Sequence, residues 1–185
     1  MSKINLQDLL NFYEEKLCDR RFCYEISNGE IISVSFYREQ FCHLLGLQHI
    51  FNYDKRYLGA AGYKKIKSNN VTVKLLKNYN RSQFDTVKER MMRFDEILEL
   101  MLNGNLISFD MDKAKPKTHI QADFIIFRDD KSYILHLFLR KEREDSNIYA
   151  PISFVVKLAN DETAKQYLQN QKYQKIVKRD VIKVK

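Results

Sequence analysis

Phe36-Tyr-Arg-Glu-Gln-Phe41-Cys-His43-Leu-Leu-Gly46-Leu47 is the stretch around which the rest of the chain is ordered. Ahead of it, Phe22, Tyr24 and Ile26 alternate with Cys23 and Glu25. Beyond Asn28-Gly29, Ile32, Val34 and Phe36 alternate with Ser33 and Ser35. An Asn-Gly pair between two alternating runs is the strongest short hairpin signal, because the tight turn needs positive φ. The quoted stretch then abandons the period of two, and Phe41, Leu44 and Leu45 fall on one stripe of a short helix. Gly46 suits the left-handed position after a helix, with Leu47 folding back as the apolar partner of that cap. His43 lies within a turn of the helix end, where the backbone dipole favours an imidazolium. A hairpin feeding a sharply terminated helix with one titratable ring is the expected nucleus of the domain.

Toward the N-terminus, Leu6, Leu9, Leu10, Tyr13 and Leu17 recur at helical spacing, so Asn5–Leu17 reads as an amphipathic helix. Toward the C-terminus, Ser82 opens a helix that runs to Asn103-Gly104, with Asp85 in the place of a capping-box Glu. Its stripe is Phe84, Val87, Met91, Phe94, Leu98 and Met101, a core stripe rather than a binding site. The remainder is β-rich. Leu106–Met111 is a short strand, and a polar loop with Pro116 follows. His119–Phe127 and Tyr133–Lys141 are longer strands joined by a tight turn at 128–131. In the second, Tyr133, Leu135, Leu137 and Leu139 form the core face; Ile134, His136, Phe138 and Arg140 form the other, with His136 and Arg140 side by side. A strand over Tyr149–Lys157 carries Ser153 and Lys157 on one face, and Glu162–Gln171 reads as a short helix. The fold class is α+β: N-terminal helix and β-hairpin, middle helices, and a C-terminal antiparallel β-sheet meander, in a single domain over residues 1–185.

At 44% hydrophobic, 185 residues support a real core, and a net charge of +8 biases partners toward polyanions. No apolar run approaches the ~20 residues of a membrane span, so no membrane partner is expected. The N-terminus lacks the basic-then-apolar order of a secretory signal. Cys18, Cys23 and Cys42 are an odd count without a disulfide framework, which suits a reducing, cytoplasmic setting. Cys18, Cys23, Cys42 and His43 lack the paired spacing of a zinc site. A phosphate-binding glycine loop, a nucleophile elbow and a helix with paired metal-binding histidines are all missing. Asp123, Asp129 and Asp130 are not followed by the acid-x-Lys pair that a metal nuclease needs. Neither a metal nor another cofactor is expected.

Between Gln48 and Lys77, Tyr53, Tyr57 and Tyr63 are interleaved with Lys55, Arg56, Lys64 and Lys65. Rings that stack on bases and cations that follow phosphates make a single-strand groove from such a pattern. The alternative is a partly ordered loop whose tyrosines pack on the domain edge. Residues 172–185 are rich in lysine and include Lys178 and Arg179, with Ile176, Val181 and Ile182 among them. This basic C-terminal strand or tail either binds phosphate or protects a sheet edge.

Metal-free RNA cleavage asks for little. A base takes the ribose 2′-OH proton, cations stabilise the crowded phosphate, and an acid protonates the departing 5′-oxygen. His43, His136, Arg140, Tyr149, Ser153 and Lys157 supply such a set if the helix end faces the sheet. A hairpin running into Phe41-Cys-His43-Leu-Leu-Gly46-Leu47, then helices, then a meander ending in Pro151-Ile-Ser153-Phe154, resembles the phage-associated barnase–EndoU–colicin–RelE-like nuclease domains. The resemblance spans residues 21–157, the nuclease-like core. It implies an RNA-cleaving toxin or phage effector with RNA as substrate and an antitoxin or immunity protein as partner. It matches His43 to the helix histidine, Arg140 to a basic position in the penultimate strand, and Ser153 to the small hydroxyl residue after the proline. The long 48–77 segment and the basic C-terminus depart from the pattern. The rival expectation, from a different class, is a non-catalytic nucleic-acid- or protein-binding module of a mobile element, using the same basic surface.

Overall fold

The computed structural model describes residues 4–184 and is α+β. Asn5 caps helix α1 (Leu6–Phe12) by accepting the Gln7 N–H at 3.0 Å. A wider π-helical turn over Tyr13–Cys18 continues it, and Leu6, Leu10, Tyr13 and Leu17 face the core. The hairpin is as expected. Strands β1 (Arg20–Ile26) and β2 (Ile31–Ser35) pair antiparallel with Phe22 opposite Val34 and Tyr24 opposite Ile32.

The quoted stretch forms two short helices rather than one capped helix. Helix α2 (Phe41–Leu44) stops, Gly46 takes φ 80°, and Leu47 opens α3 (Leu47–Ile50) instead of folding back on α2. Gly46 is required twice over. Its φ is one that L side chains rarely adopt, and a Cβ there would stand 2.8 Å from Val87 Cγ1.

The 48–77 segment, with a partly ordered loop as one of its two expected forms, is instead helical in much of its length: α4 (Gly59–Lys67) lies within it and α5 (Val73–Tyr79) begins there. Close packing explains the helices despite two glycines. Gly62 sits so near the Tyr57 carbonyl and Cys42 Sγ that no side chain fits. The Tyr57 ring stacks on Phe51 at 4.1 Å, and the Tyr63 hydroxyl donates to Glu14, which also holds Lys67 Nζ at 2.8 Å. Two of the three interleaved tyrosines are thus committed to packing.

The expected helix over 82–103 is broken into α6 (Arg81–Met92) and α7 (Glu96–Asn103), and its cap is Asn80, not Ser82. Across the break Phe94 still enters the core, but the stripe changes phase. Ile97, Leu100 and Met101 are buried while Leu98 is half-exposed. Glu96 fixes the break by accepting from Arg93 at 3.0 Å, from the Tyr133 hydroxyl at 2.7 Å and from Arg128.

Strands β3 (Asn105–Ser108), β4 (Phe124–Asp129), β5 (Tyr133–Lys141), β6 (Ile148–Leu158), β7 (Lys172–Gln174) and β8 (Ile176–Lys183) complete an eight-stranded sheet of order β7-β3-β4-β5-β6-β2-β1-β8. β7 and β8 lie at opposite ends of that order, yet only Lys175 separates them in sequence. The sheet therefore curls until its two edges approach. Helix α7 bridges the gap, with the Tyr24 hydroxyl donating to the Met101 carbonyl at 2.7 Å and Arg179 donating to the Leu102 carbonyl at 2.9 Å. Lys185 lies outside the described residues.

Both faces of the sheet are covered. One carries the main core with α1, α2, α6 and α7. The other, the face of Ile134, His136 and Phe138, carries a second core of Ile107, Ile125, Phe127, Ile134 and Phe138 under Ala164, Tyr167 and Leu168. The covering segment is built from turns rather than the expected helix, and residues 119–123, expected to be strand, are irregular. Among the described residues no helix is long and apolar enough to cross a membrane.

β6 positions the site. It pairs with β2, in parallel, at Ile148 and Tyr149, and beyond Tyr149 that edge has no strand neighbour among the described residues. Its register with β5 also shifts: Phe138 faces Ser153 but Leu139 faces Pro151, which leaves Ile152 as a bulge. A bulge bends its strand and re-aims the adjacent side chains.

Candidate functional site

Where β6 parts from β2, its free half forms one wall of an open cleft of about 800 Å³. The facing wall is made by α2, α3 and α6. Gly46 builds it: the left-handed turn joins two short helices so that His43 and His49 both reach the cleft, and the missing Cβ lets α6 approach. That approach brings in Arg90, whose Nη1 is 3.4 Å from the position a Gly46 Cβ would take. Arg140, at the end of β5, and Ser153 and Lys157, on β6, complete the opposite wall.

The lining is cationic. Neither Arg90 nor Arg140 has an ion-pair partner among the described residues; the Lys157 ammonium donates to Thr163 Oγ1 at 2.7 Å. Asp161 is the lone carboxylate among the described lining residues. Burial presses the Arg90 pKa down from its ordinary value, but a guanidinium stays charged in proteins. An unpaired, largely enclosed guanidinium is stable beside an anion and costly without one.

His43 reaches solvent through the cleft, yet its pKa lies below the ordinary imidazole value. Burial in the concave wall is the largest cause, followed by the charges of Arg90, His49 and Arg140; the Ile152 backbone pulls weakly the other way. The helix-end expectation of a protonated ring is therefore corrected. α2 has only four residues, too few for a useful dipole, and the cations dominate. A neutral ring at pH 7 is able to accept a proton. Burial and Arg90 lower His49 in the same way. The Gln48 amide nitrogen is 3.4 Å from His49 Nε2, while the buried Gln48 oxygen has no partner among the described residues.

His43 and Arg140 also line a second groove, of about 500 Å³, with Tyr37, Glu39 and Glu142. The two residues thus stand at a junction that is open on both sides.

Of the residues expected to form a catalytic set, His43, Arg140, Ser153 and Lys157 converge on the cleft. His136 does not. It is wholly buried in the second core beside Phe138 and Tyr167, and desolvation lowers its pKa to about 3. Tyr149 does not either. Its ring packs edge-on to Phe124 at 5.2 Å inside the main core, and burial pushes its hydroxyl up to about 12. Lys55, Arg56, Lys64 and Lys65 lie outside the cleft; Arg56 pairs with Asp54 at 2.6 Å and Lys65 stands over the Tyr57 ring. Lys178 pairs with Asp180 at 2.7 Å, and Arg179 holds the end of α7 and covers the Tyr24 ring, which accounts for the guanidinium without phosphate.

His49, Arg90, Tyr53, His119 and Tyr167 belong to the cleft but were not singled out as a set by the sequence. The pair Thr86 and Arg90 was readable, since residues four apart share a helix face. His49 and His119 had no local signal, because only tertiary folding brings them near β6.

No curated protein and no solved structure is similar enough to this chain to match. A family model described as phage-Barnase-EndoU-ColicinE5/D-RelE like nuclease does match, and it covers residues 5–185, including both walls of the cleft. With that match spanning nearly the whole sequence, the chain belongs to the fourth of the phage-Barnase-EndoU-ColicinE5/D-RelE-like nuclease families.

Proposed function

We propose that the chain is a metal-independent endoribonuclease of toxin or phage-effector type, acting on cytoplasmic RNA and restrained by an antitoxin or immunity protein. The observation that carries this reading is the His43 imidazole, flanked by two guanidinium groups without ion-pair partners among the described residues, at the junction of two grooves, where burial and those charges hold its pKa below the ordinary value. A strand threads past such a junction from either side, which suits internal cleavage rather than trimming from an end.

Neutral His43 takes the 2′-OH proton. The freed oxygen attacks the adjacent phosphorus, and Arg90 and Arg140 stabilise the charge that gathers on the phosphoryl oxygens. Ser153 orients one of those oxygens. As the P–O5′ bond breaks, His49, protonated once an anion fills the cleft, returns a proton to the leaving oxygen. The products are a 2′,3′-cyclic phosphate and a 5′-hydroxyl.

The test is incubation of the purified chain with single-stranded RNA in a chelator, where cleavage is expected to persist. A requirement for added magnesium contradicts the proposal. A folded protein that binds RNA and cuts none would favour the binding-module alternative.

The depressed His43 pKa gives a further expectation. kcat/KM follows the free enzyme's base, so its acidic limb should lie below the ordinary imidazole value of 6.5. Arg90→Gln removes the strongest charge holding that pKa down. The limb should then move to higher pH, while the plateau falls through lost phosphate stabilisation. A lower plateau with an unmoved limb would show that Arg90 does not act on His43.

A further inference from the structure

Tyr53 is the aromatic residue of the 48–79 section that packing does not explain. Tyr57 and Tyr79 cluster on Phe51, and Tyr63 turns inward, whereas Tyr53 is 63% exposed. Its one aromatic contact among the described residues is an edge-to-face one with His49, centroids 6.0 Å apart, and it lines the same cleft as Arg90 and Lys157. The backbone that presents it is strained. Asn52 and Tyr53 have φ of 47° and 60°, two successive non-glycine residues in the left-handed region, held by the Tyr53 N–H donating to the Gln48 carbonyl at 2.9 Å. A bulky side chain in that conformation costs free energy and persists where surrounding structure imposes it, commonly at ligand clamps. Here the strain holds a large ring away from the core and over a cationic cleft.

We propose that Tyr53 is a stacking platform for one nucleobase of the bound strand, beside the phosphate that Arg90 faces across the same cleft. The inference rests on the nuclease reading for the identity of its ligand. A base inside a duplex is already stacked on its neighbours, so the platform selects unpaired RNA. Every base has a π-face, so the contact tolerates any sequence.

The experiment measures affinity of the full chain, in a chelator, for a short single-stranded RNA with 2′-O-methyl sugars, which lacks the 2′-OH nucleophile and so is not cut by the proposed reaction. Tyr53→Ala should weaken binding roughly five- to a hundredfold, as loss of one base–aromatic stack does, and Tyr53→Phe should stay within about twofold. Removing one base of the strand should cost wild type as much as Tyr53→Ala does, and cost Tyr53→Ala little more, because the two changes delete the same contact. Unchanged affinity in a folded Tyr53→Ala protein overturns the proposal. So does a Tyr53→Phe protein as weak as Tyr53→Ala, since that would mark the hydroxyl as the contact, and so does no RNA binding by wild type. Wild type that binds single-stranded RNA through Tyr53 yet never cuts natural RNA would overturn the nuclease reading and leave the platform standing.

Discussion

Replacing His43 with alanine is expected to lower RNA cleavage by about two to four orders of magnitude, the usual effect of removing a proton-transfer group. The fold should survive, because the His43 ring points into the cleft while its neighbours Cys42 and Leu44 hold α2 in the core. RNA affinity should remain within a few-fold of wild type, since Arg90, Arg140 and Lys157 still face the phosphate. That pattern separates a base from a phosphate ligand: a base acts on the reacting proton, a ligand on binding. The measurements are single-turnover cleavage and RNA affinity on the same preparation. Equal losses in both would place His43 in binding rather than in chemistry.

The second large effect concerns stability. His136 is fully buried, and neither ring nitrogen has a hydrogen-bond partner among the described residues. Its folded pKa is lowered from 6.5 to about 3, chiefly by desolvation. The unfolded chain therefore takes up a proton that the folded chain refuses. Stability from this residue is fully present above the unfolded value and is lost as pH falls from 6.5 toward about 3. At about pH 4 the loss amounts to roughly 3 to 4 kcal/mol, taking ~1.4 kcal/mol for each unit between that pH and the unfolded pKa. His136→Phe, placed beside Phe138 and Tyr167, should abolish this loss. It should cost little at neutral pH, because it also removes two unsatisfied polar atoms. Denaturant unfolding of both proteins at about pH 7 and pH 4 checks it. Parallel losses would mean that the His136 ring is protonated or hydrated in the folded state. Because His136 lies outside the cleft, RNA cleavage at neutral pH should be unaffected.

What was legible in the sequence follows from the range of the forces involved. The hairpin, the short α2 helix and the limits of β5 all rest on local alternation and on Asn28-Gly29 or Gly46, so they could be read residue by residue. The breakdown came where two elements meet. In Tyr133–Lys141 the period-two reading puts His136 beside Arg140 on the face away from the main core. Yet Ile134-Leu-His-Leu-Phe-Leu139 is almost continuously apolar, which is the mark of a strand covered on both faces. His136 is the single polar residue in that run, and one polar residue does not open a face that its neighbours close. Helix α4 was missed because Gly59 and Gly62 lower local helix propensity, and only the approach of Tyr57 and Cys42 shows why glycine is needed at 62. In the site, His43, Arg140 and Ser153 were named from the sequence. Arg90 carries no local signal of the cleft, because the apolar stripe of α6 shows which face enters the core and not what the polar face approaches. His49 could not be placed until the turn at Gly46 was seen to aim both histidines at one wall.

The central claim is that His43 drives attack by a ribose 2′-OH without a metal ion. End-group analysis of the RNA fragments released in chelator tests it most directly. The geometry predicts 2′,3′-cyclic phosphate and 5′-hydroxyl ends, and resistance at any position where the 2′-OH is replaced by hydrogen; 3′-hydroxyl ends, or cutting at a 2′-deoxy position, would contradict it.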